Sequence, residues 1–476
     1  MGEAEMNKNL LSSALIVILA ALMNLGCPPP KTYMLTLSVN PADSGTAQAS
    51  PNQSFYAAGT VVTLTATAQA ATDWVFDHWE GEISDNYANP TTVAMTKNQN
   101  VIAVFVSQEL TDLAVQEITL PCGLTAVLID EAGNFREDTA IATDSQGKVH
   151  LVYRLSDNDG SYLRHLAYAT NASGKWQMKK DWVNYAFGTY SAIAIDNNDK
   201  VHICATGGNG AGENVVYATN VTGHWTDQDI DRSPSSGLEC DIAIDAANKP
   251  HLSYWQWSGD NLRYATNASG SWLSEEVDGG SVYWVGTSIM IDSAGKTNIV
   301  YSGNGYVRLA TEKPDTWDIQ TIDAITSYSK TAAVMGSQDQ LYILHDGGLA
   351  SRIGGIWIDD KIFAAMLEGI TFTPRFDRDG IVLDAAGYLH LAFEICVDKN
   401  DGGYDYYLYY ATNLNGEWQA VKLDSWEGDA IGELGTFPPA ITTDVSGNAH
   451  IAYVRSQTDN YQVVYCRFDP AWLIRR

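Results

Sequence analysis

The sequence predicts an all-β protein dominated by a seven-bladed β-propeller of four-stranded antiparallel blades. Three observations predict it. The first is an Asp placed six residues ahead of a His: Asp144 and His150, Asp196 and His202, Asp245 and His251, Asp384 and His390, Asp444 and His450. Asp292 and Asn298 keep that frame, and Gly336 and Tyr342 hold it in a seventh copy, with steps of 44 to 60 residues between copies. The second is a Tyr-Ala-Thr run with Trp eight residues after its Tyr, as in Tyr168 and Trp176, Tyr217 and Trp225, Tyr264 and Trp272, Tyr410 and Trp418. The third is composition: 40 Gly, 25 Tyr and 14 Trp suit a β-rich chain with many tight turns. Each copy holds four short runs rich in Ile, Val, Tyr and Thr that alternate apolar with polar, as strands do. One such sheet cannot bury both faces alone, so the copies stack around an axis.

In chain order, the first element is a targeting segment, 1–27. Residues 10–23 form an apolar stretch of signal-peptide length, and Met6-Asn7-Lys8-Asn9 suits the segment ahead of it better than the acidic Met1 to Glu5. The stretch ends in Leu25-Gly26-Cys27, which resembles a bacterial lipobox, with Asn24 where an aliphatic residue is usual. The resemblance implies acylation of the Cys27 thiol and cleavage just before it. Residues 28–32, with Pro28-Pro29-Pro30, read as a short stiff tether.

Residues 33–107 read as a separate β module. Its strand-like runs are broken at Asn40-Pro41, Ser44-Gly45, Ala58-Gly59 and Asn89-Pro90. Tyr56-Ala57-Ala58-Gly59-Thr60-Val61-Val62-Thr63-Leu64-Thr65 and Trp74-Val75-Phe76-Asp77-His78-Trp79-Glu80-Gly81 resemble the divergent internalin-B-type repeat of bacterial surface proteins. That likeness implies a small β-grasp-like module serving as spacer or adhesive unit, with Trp74, Phe76 and Trp79 in its core. Residues 108–123 are expected as a linker and 124–476 as the propeller.

Within the repeats the polar residues have a structural reading. In Asp144-Ser145-Gln146-Gly147 the carboxylate is expected to accept turn N–H groups while Gly supplies a positive φ. The His that follows is expected to hydrogen-bond the neighbouring blade. A catalytic pair is needed once, so five Asp/His pairs around a ring argue against catalysis and against a metal. The sequons at Asn171, Asn220 and Asn267 fall on the turn between third and fourth strands, where the turn itself favours Asn and Gly. The repeats resemble the broad NHL/BNR group of extracellular propellers. The sialidase Asp-box is not matched, and Thr373-Pro374-Arg375 is only faintly similar to the sialidase arginine motif.

The last copy ends at Trp472-Leu473-Ile474-Arg475-Arg476, too short for a full outer strand, whereas residues 124–130 have the length and acidic ending of one. Residues 124–130 are therefore expected to complete the seventh blade beside Val464, removing open edges. That closure would bring Cys122 toward Cys466, within reach of a disulfide. Besides Cys27 there are five cysteines, with no Cys-x-x-Cys and no zinc spacing.

Charge bounds the partners. Against 57 acidic residues stand 28 Lys and Arg, a formal net charge of −29, which argues against nucleic acid and against electrostatic attachment to anionic lipid. No cofactor is implied. The acidic tips Asp157-Asn158-Asp159-Gly160 and Asp398-Lys399-Asn400-Asp401-Gly402 invite Ca²⁺ but lack EF-hand spacing. In a propeller the loops joining second to third strands, and blade to blade, emerge on one face, opposite the Asp turns. Those loops carry Trp182, Tyr185, Trp255, Trp257, Tyr283, Trp284, Tyr404, Tyr406 and Trp426, with Arg375 as a partner for a carboxylate. Arg154 and Arg455, and the acids Asp260, Glu394, Asp405 and Glu427, are further polar candidates. The expected function is a bacterial cell-envelope binding protein, exported and either anchored by lipid or secreted, that takes an extracellular glycan or protein like a lectin or adhesin without catalysis. The alternative is a sialidase-like hydrolase or lyase on the same scaffold, an analogy of fold alone.

Overall fold

The computed structural model describes residues 31–70, 74–86, 88–107, 110–132, 139–156, 164–179, 186–208, 214–222, 225–231, 236–279, 286–303, 305–326, 331–345, 348–366, 374–375, 380–399, 403–429, 438–457 and 460–474. The chain divides into two compact units, 1–108 and 109–476.

In the first unit, Leu35–Asn40 pairs in parallel with Gln99–Ser107, which pairs antiparallel with Trp74–Glu80. Gly45–Ser50, Val61–Ala68 and Thr91–Ala94 form a second, antiparallel sheet. Alternation in Val61–Ala68 buries Val62, Leu64 and Ala66 on one face, and these share a core with Tyr56, Trp79 and Phe105. Trp79 is buried, and Trp74 and Phe76 pack half-buried against the same core. His78 pairs through Nδ1 with Asp77. Gly45 is fixed by contact: a Cβ there would meet the Phe105 ring at 2.4 Å and the Thr67 carbonyl oxygen at 2.6 Å.

The second unit is the propeller. Its first blade consists of Thr139–Thr143, Val149–Ser156, Arg164–Thr170 and Gln177–Lys179, antiparallel from the axis outward. Blades two to six repeat that order within 186–231, 236–278, 287–326, 332–360 and 374–429. In the sixth, two short segments, Pro374–Arg375 and Ile381–Leu383, share the innermost place against Leu389–Asp398. The innermost strands touch in sequence round the ring, and Ala440–Thr443 of the seventh blade lies against Thr139–Thr143 of the first.

Closure follows the expected route. Thr125–Ala132 pairs with Asn460–Phe468, Ala126 opposite Cys466 and Leu128 opposite Val464. The expected linker is largely part of the ring. Gln116–Thr119 adds a fifth strand outside Thr125–Ala132, and Thr111–Asp112 adds one outside the first blade. Extra outer strands cover edges that would otherwise offer unpaired backbone groups. Trp472, in the short helix Ala471–Ile474, packs edge-on to Phe468 instead of starting a strand. Cys122 and Cys466 are buried in one apolar cluster and are not joined by a disulfide.

The repeat signals acquire physical roles here. Asp144 Oδ1 accepts the N–H groups of Gln146 and Lys148 at 2.9 and 2.8 Å, and Asp196, Asp245, Asp292, Asp384 and Asp444 do likewise in their own turns. The left-handed position three residues on is Gly147, Gly295, Gly387 or Gly447 in four blades, but Asp199, Asn248 and Asp339 in the other three. Those exceptions reach back one blade: Asp199 takes both the N–H and the hydroxyl of Ser145, and Asp339 those of Ser293. In Tyr-Ala-Thr-Asn, Thr170 Oγ1 donates to the Val149 carbonyl while Asn171 Oδ1 accepts the Val149 N–H, clipping the third strand to the second.

Candidate functional site

The His residues do not reach the neighbouring blade, as the sequence had suggested. His150 Nδ1 bonds the Tyr168 hydroxyl at 2.6 Å, and His202, His251, His390 and His450 bond Tyr217, Tyr264, Tyr410 and Tyr465 in the same way. The register explains it. Tyr168 sits opposite Val152, one diagonal step from His150 on the same face of the same sheet. Each Nε2 faces its own Asp Oδ2, at 3.2 to 3.6 Å. Burial lowers the pKa of all five imidazoles, against the opposing pull of the Asp. The neighbouring blade is met by aromatic edges: Tyr168 on Trp225, Tyr217 on Trp272 and Tyr264 on Trp317, with centroids 4.9 to 5.2 Å apart. Such pairs add about 0.5–1.5 kcal/mol each beyond area burial.

A second seam was not read from the sequence. An acid of the outer strand accepts the hydroxyl of a Tyr in the next blade: Asp130 from Tyr153, Asp231 from Tyr254, Asp278 from Tyr301 and Asp424 from Tyr453. Arg263, Arg308 and Arg455 add ion pairs to Asp231, Asp278 and Asp424 at 3.2, 2.7 and 3.0 Å. The legible signal is a Tyr three residues after His or Asn. Arg455 is thereby committed to a blade interface and not offered to a carboxylated ligand. Arg154 and Glu394 are buried.

The aromatic candidates separate into platform, core and unplaced. Trp182, Tyr185, Tyr283, Trp284 and Cys27 lie outside the described residues, and of Arg375 only the backbone is described. Trp255 is buried between the third and fourth blades. Trp257 begins the 3₁₀ turn Trp257–Gly259 that joins the second and third strands of the third blade, and it is 61 % exposed. The two indoles lie nearly parallel, 10° apart with centroids at 6.4 Å. Asp260, in the left-handed region at φ 48°, closes the turn by donating its N–H to the Trp257 carbonyl. The turn is flanked by Gln256, which accepts from Arg263, and its cross-strand partner Asn261, which donates to Glu276.

In the sixth blade Tyr406 stacks on Trp426 at 6.0 Å and 6°, and Trp426 on Tyr453 of the seventh blade at 6.0 Å and 24°. Tyr406 and Tyr453 are buried, so this column belongs mainly to the blade interface, with Tyr404 and Trp426 half-buried at its end. Asp405 and Glu427 share Lys399, at 3.0 and 3.1 Å. An exposed indole stacked on a second ring can lie against a flat apolar face, with the polar residues of its turn beside it.

Residues 35–109 match the family model of the divergent InlB B-repeat domain. No curated protein matches the chain at significant similarity. Among solved structures, it is similar to a protein from Lactobacillus plantarum at 11 % identity and TM-score 0.42, covering 66 % of this chain and 91 % of that one. It is also similar to a Hadza microbial sialidase at 11 % identity and TM-score 0.41, covering 82 % and 78 %. An ulvan lyase from a polysaccharide lyase family is similar at 12 % identity and TM-score 0.35, covering 71 % and 84 %.

Proposed function

We propose that the protein is a non-catalytic binding protein of the bacterial cell envelope, exported and held by lipid on Cys27, whose propeller takes an extracellular glycan on the platform at Trp257. The observation that carries this reading is the exposed Trp257 ring. A large aromatic side chain held 61 % in solvent by a structured turn, and stacked on a buried ring, offers a flat apolar face to a ligand. The adjoining turn residues Gln256, Asp260 and Asn261 offer polar groups for the hydroxyls of a sugar whose face lies on the indole. Trp257→Ala is expected to weaken glycan binding about thirtyfold, as loss of an aromatic hot spot does. Stability should change by no more than about 0.5 kcal/mol, as for a surface site. A glycan array run beside thermal melts measures both. Unchanged binding would remove Trp257 from the site, and turnover of the bound glycan would replace binding by catalysis.

The anchor has its own test. Wild-type protein expressed in a bacterium should enter the detergent phase, and Cys27→Ser should move it to the aqueous phase. A Cys27→Ser protein still retained in the membrane fraction would reject lipidation.

A further inference from the structure

We propose a second binding site on the opposite face of the ring, between the fourth and fifth blades, for a sugar acid: a hydroxylated ring bearing one carboxylate. A cavity of about 580 Å³ opens there, on the side of the Asp turns. Its volume lies in the range of small-ligand sites.

The cavity has a cause in the repeat. In the regular blades a buried His and a Tyr occupy the space behind the turn Asp, bonded to each other. In the fourth blade their places are taken by Asn298 and Leu309. Asn298 lies opposite Thr311, as His251 lies opposite Thr266, and Leu309 precedes Thr311 as Tyr264 precedes Thr266. Both replacements are smaller. They also release an acceptor. Elsewhere the second carboxylate oxygen of the turn Asp faces His Nε2. Asp292 Oδ1 is used by its turn, at Ala294 and Lys296, while Oδ2 has no partner among the described residues. Asp292 and Gln320 line the cavity beside Asn298, which is bonded to Thr311 and the Lys296 carbonyl, and Gln340, which is bonded to Gln338, so the acceptor of Asp292 and the amide of Gln320 share one space.

The charge points to a carboxylate. Basic residues are outnumbered 28 to 57 in this chain, and Lys97, Arg263, Lys313, Lys361, Lys399 and Arg455 all sit on acids. Three acids and two bases line the cavity. Asp318 is paired with Lys313 and Asp339 accepts from Ser293, whereas the side chains of Arg352 and Lys296 make no ion pair or hydrogen bond among the described residues. A guanidinium matches a carboxylate in two parallel hydrogen bonds. Arg352 is therefore assigned to the ligand carboxylate and Asp292 to ring hydroxyls.

The experiment is calorimetric titration of the full chain with D-glucuronate, with D-glucose as control. Saturable binding of glucuronate, at least about tenfold tighter than glucose, is expected from the charge-assisted contact. The double variant Asn298→His with Leu309→Tyr restores the repeat residues, fills the cavity and should abolish binding. Arg352→Ala, at a half-buried outer position, should weaken glucuronate about tenfold and leave glucose unchanged. It keeps the question open to refutation should the double variant not fold. Trp257→Ala should leave glucuronate binding intact, which separates this site from the platform on the other face. Absence of saturable glucuronate binding to the wild-type protein overturns the proposal. So does binding that survives the filled cavity, ignores Arg352→Ala or requires Trp257.

Discussion

Asp424→Ala is expected to cost about 3 kcal/mol of unfolding free energy, the low end for breaking a buried ion pair. Asp424 is 1 % exposed. It accepts the Tyr453 hydroxyl at 2.7 Å and the Arg455 guanidinium at 3.0 Å across the boundary of the sixth and seventh blades. Removing the carboxylate leaves a charge and a hydroxyl without their acceptor at a packed seam. The Arg455 side chain keeps 19 % of its surface in solvent, which holds the loss to the low end. Tyr453→Phe removes only one hydrogen bond and should cost about 1 kcal/mol. In the double variant the two losses should not add, because both act on the same acceptor. Urea unfolding at constant m-value measures all three. An Asp424→Ala protein within about 0.5 kcal/mol of wild type would mean that the seam is held by packing alone. The exposed pair of Lys97 and Glu82 offers the contrast: it should contribute no more than about 1 kcal/mol.

The same residues mark how far the sequence could be read. Strand count and order were legible because Asp, His, Tyr and Trp recur at fixed separations, and a strand period of two is written in each run. Closure was legible because residues 124–130 carry an outer-strand pattern with no copy ahead of them. What joins the blades was not. The bond from Tyr301 to Asp278 links residues in different sheets, and neither residue is unusual in its own strand. The left-handed Asp199 and Asp339 read as poor substitutes for Gly until their carboxylates are seen on Ser145 and Ser293 of the preceding blade. The histidines were assigned to the wrong partner because spacing along one strand cannot say which diagonal neighbour lies within reach. For the candidate site the limit was burial. Trp255 and Trp257 are equivalent in composition, yet one is 4 % exposed and the other 61 %, decided by a three-residue turn. The cavity between the fourth and fifth blades was written as two substitutions, Asn298 and Leu309. Their consequence is a volume, and volume depends on whether neighbours move in to fill it.

Acid should begin to destabilise the propeller below about pH 6.5, the ordinary value for His. His150, His202, His251, His390 and His450 all have folded pKa values below that, through burial first, with their Asp partners pulling the other way. In the window between the folded and unfolded values, the unfolded chain binds more protons. Stability therefore rises with pH through that window, and it falls as pH drops from about 6.5 through the folded values. Each histidine contributes at most about 1.4 kcal/mol per pH unit. The five act together because every copy sits in the same cooperative ring. A second loss follows at lower pH. Burial pushes the Asp444 carboxyl up, but hydrogen bonds from the Asn448 side chain and backbone, then from His450 and Ser446, outweigh it and hold the group well below the usual carboxylate range. Its contribution is complete above the unfolded value and disappears as pH falls toward the folded one. The measurement is unfolding free energy between pH 5 and 8 for wild type and for His390→Asn, a replacement the fourth blade already carries at Asn298. The variant should be less stable at pH 7, with a slope against pH smaller by up to one histidine's share. A slope unchanged by the substitution would show that His390 is not a source of the acid sensitivity.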